Sequence, residues 1–198
     1  MTMALAEEVC SVDTDLIYPN IQTCMALVLG STGGTLAGMH MTMYSSAAQI
    51  QRAATALMPF MLGPIDSIVC IGNVGAWAPG AGRDAAMVMP GQLRQTLRTA
   101  FNYHGNVLYF DTAALFGQAG PGLNNGVVVH AWRDAGNNQI RYAYGPHGAL
   151  QANGHGLAAV PVFFIGAMAT ANYVGQNLAE YTLGGGMFNL PVMGMATM

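Results

Sequence analysis

Apolar positions recur in short blocks along this chain, and the spacing within the blocks changes from one to the next. Ile21 to Leu29 and Thr35 to Met43 are adjacent apolar runs, the second with small residues interleaved, separated by a turn containing Gly33-Gly34. Two such runs around a glycine turn predict a β-hairpin in which Met25 to Leu29 pair with Thr35 to Met39. From residue 47 to about 62 the period lengthens. Ile50, Ala53, Ala54, Leu57 and Met61 share one helical face, with Ser45 or Ser46 as the cap and Gly63-Pro64 as the stop. Ser67 to Gly72 is continuously apolar, the pattern of a strand covered on both faces.

Trp77 to Arg83 reads as a loop, and Pro90 opens a second helix through Leu93, Leu97 and Phe101 to a stop at Gly105. Asn106 to Asp111 is the next strand. After a glycine-rich loop from Gly117 to Gly126, Val127 to Arg133 and Gln139 to Tyr144 form a second hairpin around Asp134-Ala-Gly-Asn-Asn138. Residues 1 to 16 are mixed and polar and predict an irregular start, with Pro19-Asn20 as a turn or strand entry. Beyond Gly145 come the apolar run Val160 to Ile165, a short helical stretch from Ala167 to Tyr181 and a loose Gly- and Met-rich tail. A chain of 198 residues suits one well-cored domain.

Composition narrows the function classes. Charged residues make up only 8% of the chain, against a usual share of about 25%, so the exterior leans on Gly, Ser, Thr, Asn and Gln. A mean hydropathy of +0.36 raises the question of a membrane span. The longest apolar stretch, Leu157 to Ala171, falls short of the roughly 20 residues a span needs and carries Pro161 and Gly166. Glu7 and Glu8 stand where a signal peptide would carry positive charge. The expectation is a chain with no membrane span. All the basic residues are arginines, and six of them against nine acidic residues lay down no basic stripe, so nucleic acid is not an expected partner. The absence of lysine fits either codon bias or action in a host cytosol, where lysine is a ubiquitination handle. Cys10, Cys24 and Cys70 form no CxxC pair and leave an odd count, which points to a reducing compartment rather than to disulfides or structural zinc.

The candidate chemistry lies at the open end of the first hairpin. There Cys24 and His40 come together as near-opposite neighbours. A thiolate is the reactive form of cysteine, and a neighbouring imidazolium lowers its pKa from about 8.5 to roughly 3.5–7.5. The structural alternative is that Cys24 is a small buried hydrophobe and His40 a satisfied edge residue. Cys70 reads as packing, His104 and His130 as structural, and Trp77 as either an entrance residue or a packing anchor. His147 and His155 stand in two similar Gly-His-Gly pieces but lack a third ligand, so no metal is expected. The glycine clusters lack the context of a phosphate loop, so no cofactor is expected either.

A cysteine opening one strand, a histidine at the end of the next, then helix, strand, helix and further strands: this order resembles the chemoreceptor glutamine deamidases of the CheD type. It is similar also to the catalytic domains of the cytotoxic necrotizing factor toxins. The resemblance covers roughly residues 18 to 144, leaving 145 to 198 as a C-terminal extension. Gln22-Thr23-Cys24 stands for the families' Gly-Ser-Cys or Ser-Gly-Cys, and Gly33-Gly34 with Ala37-Gly38-Met39-His40 for their Gly-Gly-x-x-His. Where the CheD motif runs on to Leu-Pro, this chain has Met41-Thr42-Met43-Tyr44, which favours a toxin-like member.

The resemblance implies an α+β fold with a mixed, largely antiparallel, sandwich-like sheet core and two main flanking helices. It implies a protein glutamine deamidase in which Cys24 is the nucleophile and His40 the base. Tyr18 stands where CheD has the threonine that orients the histidine, and a backbone carbonyl would serve as well, whereas Thr23, next to Cys24, points to the opposite face. The implied partner is a protein presenting an exposed glutamine, met in a cytosol that a bacterial effector reaches without a classical signal peptide. An amine in place of water would make the same site a transglutaminase. The competing reading is a non-enzymatic binding or assembly protein whose fifteen methionines, including Met187, Met193, Met195 and Met198, form an adaptable interface.

Overall fold

The computed structural model describes residues 3–5, 7–113, 126–146, 150–152, 162–164, 181–183, 188–190 and 195–198. The N-terminal half runs β1 (Met3–Ala4), β2 (Val9–Val12), β3 (Asp15–Ile21), β4 (Met25–Ser31), β5 (Leu36–Met41), α1 (Ala47–Leu57) and β6 (Ile65–Gly72). Then follow α2 (Gly91–Ala100), β7 (Val107–Asp111), β8 (Val127–Arg133) and β9 (Ile140–Pro146). The short strands β10 (Leu150–Ala152), β11 (Val162–Phe164), β12 (Tyr181–Leu183), β13 (Phe188–Asn189) and β14 (Ala196–Thr197) complete the described elements.

The strands form a seven-stranded sheet in the order β11-β2-β5-β4-β6-β7-β14, a five-stranded sheet in the order β1-β3-β8-β9-β13, and a β10-β12 pair. The described pairings are antiparallel except β1 with β3 and β6 with β7. Alternation sorts the side chains of β4 onto two faces. Ala26 and Val28 meet Leu16, Tyr18, Val127 and Val129 of the five-stranded sheet. Met25, Leu27 and Leu29 meet Ile50 and Leu57 of α1 and Leu93 and Leu97 of α2. Helices, sheet and second sheet thus stack as three layers, and every residue of β4 is buried, as its unbroken apolar run requires. The fold is α+β, mixed but mostly antiparallel, with two main helices on one face.

Several expectations are refined. The start of the chain is not irregular: β2 lies beside β5, with Cys10 opposite Met39, and β3 enters the second sheet. β2 is too short for a visible period, a bulge interrupts the alternation of β3, and the pairing partners of both are distant in sequence. The run from Ile21 to Leu29 belongs to two strands, since Ile21 closes β3 and the chain turns before Met25. Pro19-Asn20 forms a bulge inside β3, with Asn20 in the left-handed region at φ 56°.

Helix α1 opens on a capping box, in which Ser46 Oγ accepts from Gln49 N and Gln49 Oε1 accepts from Ser46 N at 2.6 Å. It ends at Leu57 rather than near 62, and a single 3-10 turn over Met58–Phe60, with Pro59 in it, follows. Nor is the described end of the tail loose. β14 pairs with β7, and Met198 is buried among the helix-side apolar residues. Of the helical stretch expected from Ala167 to Tyr181, residues 167 to 180 lie outside the described residues, as do His147 and His155, and Tyr181 opens the strand β12 instead. No described helix is long and apolar enough to cross a membrane.

Candidate active site

Cys24 lies one residue before β4, and His40 is opposite Ala26 on β5. Continuing that register puts Cys24 opposite Thr42, so Cys24, Ala26 and His40 share the face turned toward the second sheet. On that register the thiol and the imidazole lie diagonally, two positions apart along the ladder, rather than directly opposite. Both are sheltered: His40 is 1% exposed and Cys24 6%.

The segment leading to Cys24 is held from the helix side, where Trp77 donates its indole N–H to the Thr23 carbonyl at 3.1 Å. Trp77 is fully buried in a 3-10 turn, which makes it an anchor and not an entrance residue. Gly72 on β6 lets the backbone come close, since a Cβ there would lie 2.6 Å from the Cys24 carbonyl oxygen.

His40 has a defined tautomer. Its Nδ1 lies 2.8 Å from the Leu5 carbonyl oxygen, which can only accept, so Nδ1 carries the proton and Nε2 the lone pair. Nε2 is buried and has no hydrogen-bond partner among the described residues. Burial lowers the His40 pKa from 6.5 to about 4, outweighing the opposing effect of the Leu5 bond. The ring is therefore neutral near pH 7, with its basic nitrogen unengaged among the described residues.

Tyr18 does not orient His40 by a hydrogen bond. Its hydroxyl donates to the Leu27 carbonyl at 2.8 Å, through a gap left by Gly38, where a Cβ would overlap that hydroxyl. The Tyr18 ring meets the imidazole edge-on, with centroids 6.4 Å apart. The expected orienting bond is made by a backbone carbonyl from a segment that sequence reasoning read as irregular.

Cys24 donates its S–H to Glu7 Oε1 at 3.6 Å. Burial, and then the Glu7 carboxylate beside it, push the thiol up to about 12. The resting pair is thus neutral thiol and neutral imidazole, not the thiolate and imidazolium expected from adjacency alone. Taking both groups out of water disfavours both charges. Glu7 went unrecognised as a site residue because only the return of β1 and the turn after it across the sheets brings it to Cys24.

The remaining candidates are apart from this site. Cys10 and Cys70 are fully buried on the helix side of the seven-stranded sheet, and burial raises both thiols. His130 pairs with Asp15 at 2.5 Å and stacks on Trp132 at 4.5 Å. Among the described residues no three His, Cys, Asp or Glu side chains gather to hold a metal. A cleft of about 510 Å³, lined by Asp66, Ser67, Arg133 and Tyr142, opens at the far end of β6, where Ser67 pairs with Gly30 while Gly72 pairs with Met25 near Cys24. No protein-family model matches this chain, and no curated protein is significantly similar to it.

Proposed function

We propose that this chain is a cysteine-dependent protein glutamine deamidase, of a toxin or effector kind acting in a cytosol, with Cys24 as nucleophile and His40 as general base. The observation that carries the reading is the His40 Nε2 lone pair, buried and without a partner among the described residues, on the face that bears Cys24, with the ring held by Leu5. A buried acceptor without a donor costs roughly 1–3 kcal/mol, and in this reading the Cys24 thiol is the donor that nitrogen receives during the reaction. The three-layer order of helices, sheet and sheet, with a cysteine just before one strand and a histidine on the next, also supports the likeness to the CheD and cytotoxic necrotizing factor folds.

In this mechanism the thiol gives its proton to Nε2 and the sulfur attacks the glutamine side-chain carbonyl carbon. Backbone N–H groups beside Cys24 stabilise the oxyanion. His40 returns the proton to the departing nitrogen, ammonia leaves, and water activated by the same nitrogen opens the thioester to give glutamate. A primary amine in place of water would give transglutamination.

The rival, a non-enzymatic binding protein, is favoured by the raised thiol and by the exposed apolar side chains Tyr44 and Leu62 at 65% and Phe60 at 44%. Incubation with reduced, carboxymethylated casein separates the two. Ammonia release with matching glutamine-to-glutamate mass changes is expected from the chain or from its Glu7→Ala variant, and loss of both signals in Cys24→Ser and His40→Ala. Absence of Cys24-dependent release from both the parent and Glu7→Ala would leave the binding protein as the surviving reading.

A further inference from the structure

The first strand and the turn after it are built into the site as an added segment. Met3 and Ala4 pair in parallel with Leu16 and Ile17 of β3, and Leu5 N extends the contact to the Ile17 carbonyl at 2.7 Å. The Leu5 side chain is fully buried between the sheets, and its carbonyl holds the His40 ring. Two residues on, the Glu7 carboxylate meets the Cys24 sulfur. Glu8 then donates its N–H to the His40 carbonyl at 2.8 Å, accepts from Gln49 Nε2 at 2.8 Å, and turns the chain through φ 59° into β2.

A glutamate side chain differs from glutamine only in carrying oxygen where the amide carries nitrogen, so it is the product that deamidation of a glutamine leaves behind. We propose, resting on the deamidase reading, that this N-terminal segment occupies the substrate path of the Cys24–His40 site as an internal product mimic, with Glu7 standing where a substrate glutamine binds. The segment then describes the substrate class. It is a peptide that adds a short strand beside β3, buries an apolar residue two positions before the glutamine, and turns at the glutamine and the residue after it, which accepts from Gln49. It also accounts for the sheltered resting thiol, because the carboxylate that fills the subsite holds the S–H and keeps Cys24 from His40. A substrate must displace this segment before it reacts.

The replacement Glu7→Gln turns the mimic into a substrate. The Cys24 sulfur would bond to the side-chain carbonyl carbon of the introduced glutamine, the carbon–nitrogen bond would break with ammonia leaving, and water would free the thiol. One water would be consumed and one ammonia released as the side chain at position 7 returns to glutamate.

The test follows residue 7 by peptide mass spectrometry in Glu7→Gln and in Glu7→Gln with Cys24→Ser, after urea melts have established native-like folding of each. Glu7→Ala serves as the variant with the subsite emptied. The proposal expects the introduced glutamine to convert at a rate independent of protein concentration, no conversion without Cys24, and faster iodoacetamide labelling of Cys24 in Glu7→Ala than in the parent. Should that glutamine persist, or convert only in proportion to concentration, while the same variants release ammonia from casein, the product-mimic proposal is overturned and the deamidase reading stands. If neither position 7 nor casein loses ammonia, both fall.

Discussion

His40 concentrates the physical tension of this molecule at a single side chain. Its folded pKa of about 4 lies below the ordinary 6.5, so between those values the unfolded chain binds more protons than the folded one. Stability from keeping this ring neutral is therefore fully present above about pH 6.5 and is lost as the pH falls toward 4, by on the order of 3 kcal/mol. Urea denaturation at a series of pH values should show that decline in the parent and a flatter profile in His40→Gln. Equal slopes in the two proteins would contradict the assignment of a buried neutral imidazole. Cys24 follows the same rule with the opposite charge, since burial and Glu7 both disfavour its thiolate. The placement of these two residue types near one end of a hairpin was legible from the chain alone, but their charge states were not. Adjacency suggests a mutually stabilised ion pair, whereas desolvation, which depends on what covers them, reverses both shifts.

At the level of elements, the hairpin of β4 and β5 shows how register is locked. Gly38 faces Tyr18, whose hydroxyl crosses toward the Leu27 carbonyl where any Cβ on residue 38 would stand. Gly38→Ala should cost roughly 1–3 kcal/mol in urea denaturation, as overpacking in a closed interior does. Tyr18→Phe in the same chain should restore part of the loss by removing the hydroxyl that is the nearest obstacle. A loss unchanged by Tyr18→Phe would place the strain elsewhere. Long or strongly periodic elements were readable locally: the hairpin, α1 with a cap at Ser45 or Ser46, of which the structure uses Ser46, β6, α2, β7 and the pair β8 and β9. The two-residue strand β1 and the four-residue β2 were not, because elements so short are stabilised by the distant strands they pair with.

Across the whole molecule, the described end of the chain closes the helix-side core. Met198 donates its N–H to the Val107 carbonyl at 2.9 Å, receives Arg94 Nη1 on its own carbonyl at 2.9 Å, and buries its side chain at 7% exposure. Met198→Ala should therefore lower stability by about 2 kcal/mol or more, read as a reduced urea midpoint with an unchanged denaturant slope. A neutral result would mean that this residue packs loosely. Its contacts tie it to a strand and a helix far away in sequence.

Local chemistry determined most element boundaries to within a few residues and the hairpin that carries His40 and follows Cys24, because periodicity, caps and turn residues act over a few positions. Tertiary structure alone decided that the sheets stack with Cys24 and His40 between them, that Leu5 rather than Tyr18 holds the imidazole, and that Glu7 lies against the thiol. Those outcomes depend on which distant segments fill the space beside a given side chain, and burial, which sets its protonation, is a property of that space and not of the residue.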